Sequence, residues 1–319
     1  MRAAQTPLSA APSAAPSAAP GTAPSPVAVS APAVLQGWRP WAQLRTTDFA
    51  TLDPHRTVAV LPVAATEQHG PHLPLSVDTD LVEGILAAAR ALAEPSLPIL
   101  QLPTQAVGLS PEHQGFAGTL TLRPETLLAL WADIGESVAR AGVKKLLIFN
   151  SHGGHSGIMD VVARDLRTRL GLLVVSCSWF NLPLKDEAGN DVSARFPAHE
   201  HRFGIHAGQM ETALMLALRP QDVRMEAARN FPSTSEDRAQ RYAVLGNGRS
   251  AKLAWQMQDY QPAGAAGNAA AATAEDGHAL LDAAARGLAQ LLAELVDLPL
   301  STLQPAPLEP GQRGPHRTP

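Results

Sequence analysis

Thr57-Val58-Ala59-Val60-Leu61-Pro62-Val63 leads, three residues later, into Glu67-Gln68-His69-Gly70-Pro71-His72. The first run is short, apolar and rich in β-branched residues, which predicts a strand buried inside a parallel sheet. Glu67 and His69 are two residues apart, so in an extended segment their side chains point the same way. They are expected to face one pocket beyond the strand's carboxyl end, where open α/β sheets bind their ligands. Asp78 follows Glu67 by eleven residues and brings a second carboxylate within reach of that pocket.

Outward from this stretch, apolar runs at 57–63, 97–102, 145–150 and 171–178 read as strands. They alternate with helical patterns at 80–93, 124–140, 156–170, 208–218 and 273–295. Asp78-Thr79 reads as an N-cap pair for the first helix. Arg123-Pro124-Glu125 puts proline at a helix start, where its missing N–H costs nothing. The alternation predicts an α/β fold with a mostly parallel sheet covered by helices on both faces. Segments 183–205 and 240–272 lack periodicity and read as long loops that shape a site.

Composition bounds the rest. The 319 residues suffice for one large domain. Residues 1–37 are dominated by Ala, Pro and Ser, and 304–319 are rich in Pro and Gly. Both are expected to be disordered tails around a folded domain at 38–303. Proline interrupts every apolar run of the N-terminal tail, so no secretory signal is expected, and no stretch is long enough to span a membrane. The lone Cys177 excludes an internal disulfide and fits a reducing, cytoplasmic setting; its place in 172–178 predicts a structural thiol in a buried strand. A net charge of −4 and only 4% aromatic residues argue against a nucleic-acid partner.

Eight of the eleven histidines fall between His69 and His206, seven of them in clusters His69/His72, His152/His155 and His199/His201/His206. Four segments carry the plausible chemistry. They are Glu67-Gln68-His69 with Asp78; Gly108-Leu109-Ser110-Pro111-Glu112-His113; Asn150-Ser151-His152-Gly153-Gly154-His155 after the strand at 145–150; and His206-Ala207-Gly208-Gln209-Met210-Glu211 opening a helix. Mixed histidine and carboxylate ligands suit Zn, Mn or Fe better than Mg or Ca. Glu67, Asp78 and Glu211 with His69 and His152 are enough for two divalent ions. Three carboxylates would offset three of the four charges, and a bridging hydroxide the fourth. Such a hydroxide is a nucleophile at neutral pH, and a nearby histidine can protonate a leaving nitrogen. Asp78 could equally cap a helix, and Glu211 could be a first-turn glutamate favoured by the helix dipole. Glu112 and His113 are either substrate-facing or loop-pinning. His72 reads as loop support, and His155 receives no role.

At these residues the chain resembles the creatininase (creatinine amidohydrolase) family. The matching features are Glu67-Gln68-His69-Gly70-Pro71-His72-Leu73-Pro74-Leu75 with Asp78-Thr79; Glu112-His113 through Gly118-Thr119-Leu120; Asn150-Ser151-His152-Gly153-Gly154-His155; and His206-Ala207-Gly208 with Glu211-Thr212. They occur in the family's order over roughly residues 40–295. The resemblance implies a three-layer α/β/α sandwich, a metal-dependent hydrolase acting on the C–N amide bond of a small cyclic or formamide substrate, and a homo-oligomer, often a hexamer. It also implies Glu67, His69, Asp78 and His152 as metal ligands, with Asp78 bridging. His206 and Glu211 are the catalytic candidates. Creatininase itself has a tyrosine and a metal-binding glutamate directly after the strand-end histidine; here those positions are Gly153 and Gly154. Glu211 is the candidate replacement, and creatinine is the less favoured substrate. Other members include a formamidopyrimidine amide hydrolase and a peptidase of mycofactocin maturation, so a peptidase acting on a peptide-derived cofactor precursor is the alternative.

Other classes fit less well. Gly154-His155-Ser156-Gly157 lacks the glycine two residues after serine that a nucleophile elbow requires, since Ile158 stands there. No Gly-x-Gly-x-x-Gly follows a strand, which argues against a dinucleotide site. A non-catalytic metal-binding α/β protein remains the bland alternative.

Overall fold

The computed structural model describes residues 34–307; the remainder of the expected tails, 1–33 and 308–319, lies outside the described residues. Five strands form one parallel sheet: β1 (Trp38–Pro40), β2 (Val58–Val63), β3 (Ile99–Gln101), β4 (Lys145–Asn150) and β5 (Leu173–Ser178), in the order β1-β3-β2-β4-β5. β2 lies at the centre between β3 and β4, pairing Val58 with both Ile99 and Lys145.

The side-chain period of two divides the sheet into two cores. Val58, Val60, Ile99, Leu147 and Phe149 face one way, onto α1 (Val77–Leu92), α5 (Gln209–Leu218) and α8 (Ala274–Asp297). Ala59, Leu61, Val63, Leu100, Leu146 and Ile148 face the other, onto α2 (Pro124–Arg140) and α3 (Ser156–Leu170). This is the three-layer sandwich expected from the sequence. Pro124 opens α2, and Gly171 ends α3 with a left-handed φ of 65° that glycine adopts without a Cβ penalty.

Three expectations need correction. α1 begins at Val77, so Asp78 and Thr79 lie inside its first turn and Ser76 takes the N-cap position. Val77 is fully buried, and packing it draws the helix start forward. β5 is an edge strand rather than a buried one: Ser176 is exposed and Cys177 only half-buried. The two long loops carry structure of their own. The first holds α4 (Ala198–Phe203), and the second holds α7 (Met257–Tyr260) and β7 (Gly267–Asn268), which pairs antiparallel with β6 (Asn230–Phe231). α6 (Thr234–Arg241) lies between the loops, with Ser233 as its N-cap.

Lys145, the first residue of β4, is fully buried. Its ammonium donates to the carbonyls of Leu295 (2.9 Å) and Val296 (2.8 Å) in the last turn of α8. A cation is well placed there, because the final carbonyls of a helix lack intrahelical partners.

Candidate metal centre

The site lies beyond the carboxyl ends of β2 and β4, at the floor of a cavity of about 680 Å³. β2 delivers Glu67 and His69 through the segment that follows it. A tight turn at Gly70, with φ of 67°, then sends the chain back to α1, whose second residue is Asp78. β4 delivers His152. α5 delivers Glu211 in its first turn, just after His206.

Hydrogen bonds set the histidine tautomers. His69 Nδ1–H donates to the Glu67 carbonyl at 3.0 Å, which leaves the Nε2 lone pair facing inward. That atom lies 3.8 Å from Asp78 Oδ1 and 4.0 Å from Glu67 Oε1. His152 Nε2–H donates to the Leu109 carbonyl at 3.0 Å, so Nδ1 is turned inward, 3.2 Å from Glu67 Oε1 and 3.4 Å from Asp78 Oδ2. Asp78 therefore shows one oxygen to each histidine. Two groups of ligand-type atoms result: Glu67, Glu112 and His152 on one side, and His69, Asp78 and Glu211 on the other; a third grouping joins Glu67, His69 and His206.

The chemistry of this set fits divalent ions. Glu67 Oε2, Asp78 Oδ2 and His69 Nε2 are buried and make no hydrogen bond among the described residues. Buried polar atoms are normally satisfied, and three with free lone pairs in one cluster are what bound cations would satisfy. Charge placement agrees. Burial, then the Glu67 carboxylate, pushes Asp78 up to about 7, and burial also lifts Glu211 to about 7. Burial alone would raise Glu67, but His152, His206 and His113 outweigh it and hold it well below the usual carboxylate range. Burial opposes a charge on His152 too, yet Glu67 and Asp78 prevail and hold its pKa well above the ordinary value. Burial keeps His69 neutral, with a pKa well below normal.

A ring of supporting groups surrounds these side chains. His206 Nε2–H donates to the Gln68 carbonyl at 2.7 Å, leaving Nδ1 3.7 Å from Glu67 Oε1. Gln68 accepts the Gly70 N–H and donates to His113 Nδ1 at 2.8 Å, which aims His113 Nε2–H at Glu67 Oε1, 3.5 Å away. Burial lowers the His113 pKa to about 3, so that ring is neutral. Ser151 donates to the Asp78 carbonyl at 2.7 Å and ties the end of β4 to the start of α1. Ala207 has a left-handed φ of 51°, uncommon for a residue with a Cβ, and its N–H donates to the Glu211 carboxylate.

Of the histidine clusters, only part converges. His199 is exposed and pairs with Glu236 at 3.1 Å, and His201 stays at the cavity rim on the Ser193 carbonyl. His72 bonds Thr212 at 3.0 Å, and His155 is held by Asn150 at 3.0 Å while accepting the Leu109 N–H at 3.1 Å. Both are packing and loop-pinning residues. Sequence reasoning missed Gln68, Asn150 and Glu200 as supports. Glu200 is buried on α4, and its carboxylate accepts the N–H groups of Gln209 (2.6 Å) and Asn268 (2.8 Å). Only their positions inside or beside histidine- and glycine-rich segments pointed to them. Burial raises the Cys177 thiol to about 11, consistent with a structural role. Trp179, Phe180 and Trp255 line the cavity wall.

The sandwich and the carboxylate–histidine cluster define the structural class: a three-layer α/β/α protein with a metal-type centre at its strand ends. Residues 42–292 match the model of the creatininase family, described as creatinine amidohydrolase, and the chain belongs to that family. It is 36% identical over 177 residues to the mycofactocin precursor peptide peptidase of Mycobacterium tuberculosis, a match covering 52% of this chain and 61% of that protein. It is 31% identical over 183 residues to the creatinine amidohydrolase of Pseudomonas putida, covering 55% and 69%. A solved creatinine amidohydrolase (creatininase) superposes with a TM-score of 0.62 at 26% identity, covering 81% of this chain and 98% of that one. The chain thus spans about three-fifths of the length of the mycobacterial peptidases it matches.

Proposed function

We propose that this chain is a metal-dependent amidohydrolase that holds two divalent ions, Zn, Mn or Fe, and cleaves a C–N amide bond. One observation carries the reading: Asp78 turns Oδ1 toward His69 and Oδ2 toward His152, the arrangement a bridging carboxylate needs. Glu67 and His152 would serve one ion, and His69 and Glu211 the other. Ions bound there would supply a Lewis acid for the carbonyl oxygen and a water of lowered pKa as the nucleophile. The protein's own part is positional and protonic. His206, oriented by the Gln68 carbonyl, presents Nδ1 as the atom at which a proton is held and passed to the leaving nitrogen. Glu211, fixed by the Ala207 N–H, is the second catalytic candidate and, with His69 and Asp78, would help to hold an ion that polarises the substrate. His113 and Gln68 keep Glu67 in place.

Two substrate readings follow. The main one is a small amide, cyclic or formamide in type. The alternative is a peptide, in the manner of a peptidase on a cofactor precursor. Two observations support the alternative: the similarity to mycofactocin precursor peptide peptidases, and a cavity of about 680 Å³ with aromatic walls. That volume lies in the range that takes drug-sized ligands, roughly 300–1,000 Å³.

The domain is taken as 38–303 between tails at 1–37 and 304–319, supported by regular elements running from Trp38 to Thr302. A homo-oligomer, often a hexamer in the family, and a cytoplasmic location with no nucleic-acid partner complete the proposal. No helix among the described residues is long and apolar enough to cross a membrane. The test is elemental analysis of wild type and His69→Ala, followed by hydrolysis assays on formamides, cyclic amides and short peptides with and without chelator. Close to two ions per chain, fewer in the variant, with chelator-sensitive turnover is the expected result. Chelator-insensitive turnover would rule the mechanism out.

A further inference from the structure

One carboxylate at the centre has no task yet. Glu112 stands in the short turn Pro111–His113 and places Oε1 3.5 Å from His152 Nε2. Its carboxylate, a Glu67 oxygen and a His152 nitrogen all lie within 4.8 Å of one another. Beside them, Glu67 Oε2 and Asp78 Oδ2 are buried and without a hydrogen-bond partner among the described residues. Glu67 is only 1% exposed, so water offers it no alternative.

Gly154 explains how Glu112 gets in. Its φ is not positive, so backbone freedom is not the reason for a glycine there. A Cβ at 154 would instead overlap Glu112 Oε1 and His152 Nε2. The neighbouring Gly153 has nothing within 4 Å of such a Cβ, so the close approach belongs to Gly154 alone. The turn that carries Glu112 is also anchored to the histidine segment it serves. Leu109 accepts from His152 and donates to His155, and the Ser110 N–H donates to Thr121 Oγ1 at 2.8 Å. Glu211 does not fill this place; it groups with His69 and Asp78 on the opposite side.

We propose that Glu112 is a metal ligand of the Glu67/Asp78/His152 half of the centre, admitted by the absent side chain at Gly154. The inference rests on reading the cluster as a dinuclear centre. With it, each half has a carboxylate of its own, Glu112 or Glu211, in addition to Asp78. Four carboxylates would then face the two dications.

The test is metal titration by calorimetry, with elemental analysis, on the full chain as wild type, Glu112→Gln, Glu112→Ala and Asp78→Asn. The probe is Zn or Mn alone, so no substrate is needed. In both Glu112 variants one ion is expected to keep its wild-type affinity, while the other weakens by more than about 100-fold, beyond the cost of losing an outer partner of a ligand. Unchanged affinities would overturn the inference. So would a uniform loss of about 100-fold or less at full stoichiometry, which assigns Glu112 to supporting the His152 ring. Either of these, with Asp78→Asn losing both ions, leaves the dinuclear reading standing. A wild type that binds no metal overturns both.

Discussion

Asn150 and His152 are joined twice: the Asn150 amide donates to the His152 carbonyl at 2.6 Å, and its Oδ1 accepts the His152 N–H at 3.0 Å. The same side chain also donates to Ser178 and accepts from His155 Nδ1. A single buried amide at the end of β4 therefore sets the position of a proposed ligand, a loop pin and the end of the neighbouring strand. Asn150→Ala strands several buried groups and should cost at least about 1–3 kcal/mol in urea unfolding of the metal-free protein. Metal affinity, measured by titration, should fall about 10–100-fold. Unchanged affinity would mean that His152 is positioned by its Leu109 contact alone.

In the proposed dinuclear centre Asp78 is the shared ligand and Glu211 a local one. Asp78→Ala should abolish retention of both ions, whereas Glu211→Gln should weaken one only. Elemental analysis after gel filtration reads both. Full occupancy in Asp78→Ala would remove the bridge, and wild-type stoichiometry and affinity in Glu211→Gln would remove that carboxylate from the ligand set.

The pH dependence has a definite sign. In the metal-free protein Asp78 and Glu211 are pushed up to about 7, so both hold protons well above the ordinary carboxylate range. Ions must displace those protons, and His152 must release its own. Apparent affinity should therefore fall as pH drops through 7, about tenfold per pH unit for each proton displaced. Raised carboxyl pKa values also mean that this pair's contribution to metal-free stability is lost as pH rises from near 4 to near 7. The gain in melting temperature on adding metal should be larger at pH 8 than at pH 6. Indicator-dye titration in weak buffer reads the protons; no release on binding would contradict the raised values.

Glu200 is held in a cradle of glycines. A Cβ at Gly204, Gly208 or Gly267 would overlap or crowd its carboxylate. At Gly267 it would also approach the Cα atoms of Gly208 and Gly204, at 2.8 and 2.9 Å, from a φ of 133°. Gly267→Ala should cost at least about 1–3 kcal/mol from the dihedral alone. Glu200→Gln should cost about 1.5–3 kcal/mol, because it weakens two hydrogen bonds to a charged acceptor. Denaturant midpoints test both, and stability equal to wild type in either variant would contradict the cradle. Since Glu200 holds the first N–H of α5, these variants should also loosen His206 and Glu211.

Periodicity and punctuation made the sheet and its long helices readable: α2 and α3 begin and end at the residues their patterns mark. The short pieces were hidden. β1 has three residues and β6 only two, too few for any period to register. The start of α1 was misplaced because Asp78 is of a type that caps helices, while burial of Val77 settles where the turn begins. Glu67, His69, Asp78, His152, His206 and Glu211 were readable from short-range motifs beside strand and helix ends. Glu112 stayed undecided because its place depends on an approach to Gly154 across 42 residues of chain. Glu200 was invisible because its partners are backbone groups on two other segments.

The bond from Lys145 to the last turn of α8 has a consequence for biosynthesis. Domains assemble as their chain leaves the ribosome, N-terminal parts first. Here the ammonium at the foot of a central strand has no acceptor until residues 295 and 296 are made. A nascent chain halted before that point must keep Lys145 in water and leave the face of the sheet under α8 uncovered. Completion of the core is thus delayed until residues 295 and 296 have been translated, and chains ending short of Leu295 are natural targets for chaperones and proteases.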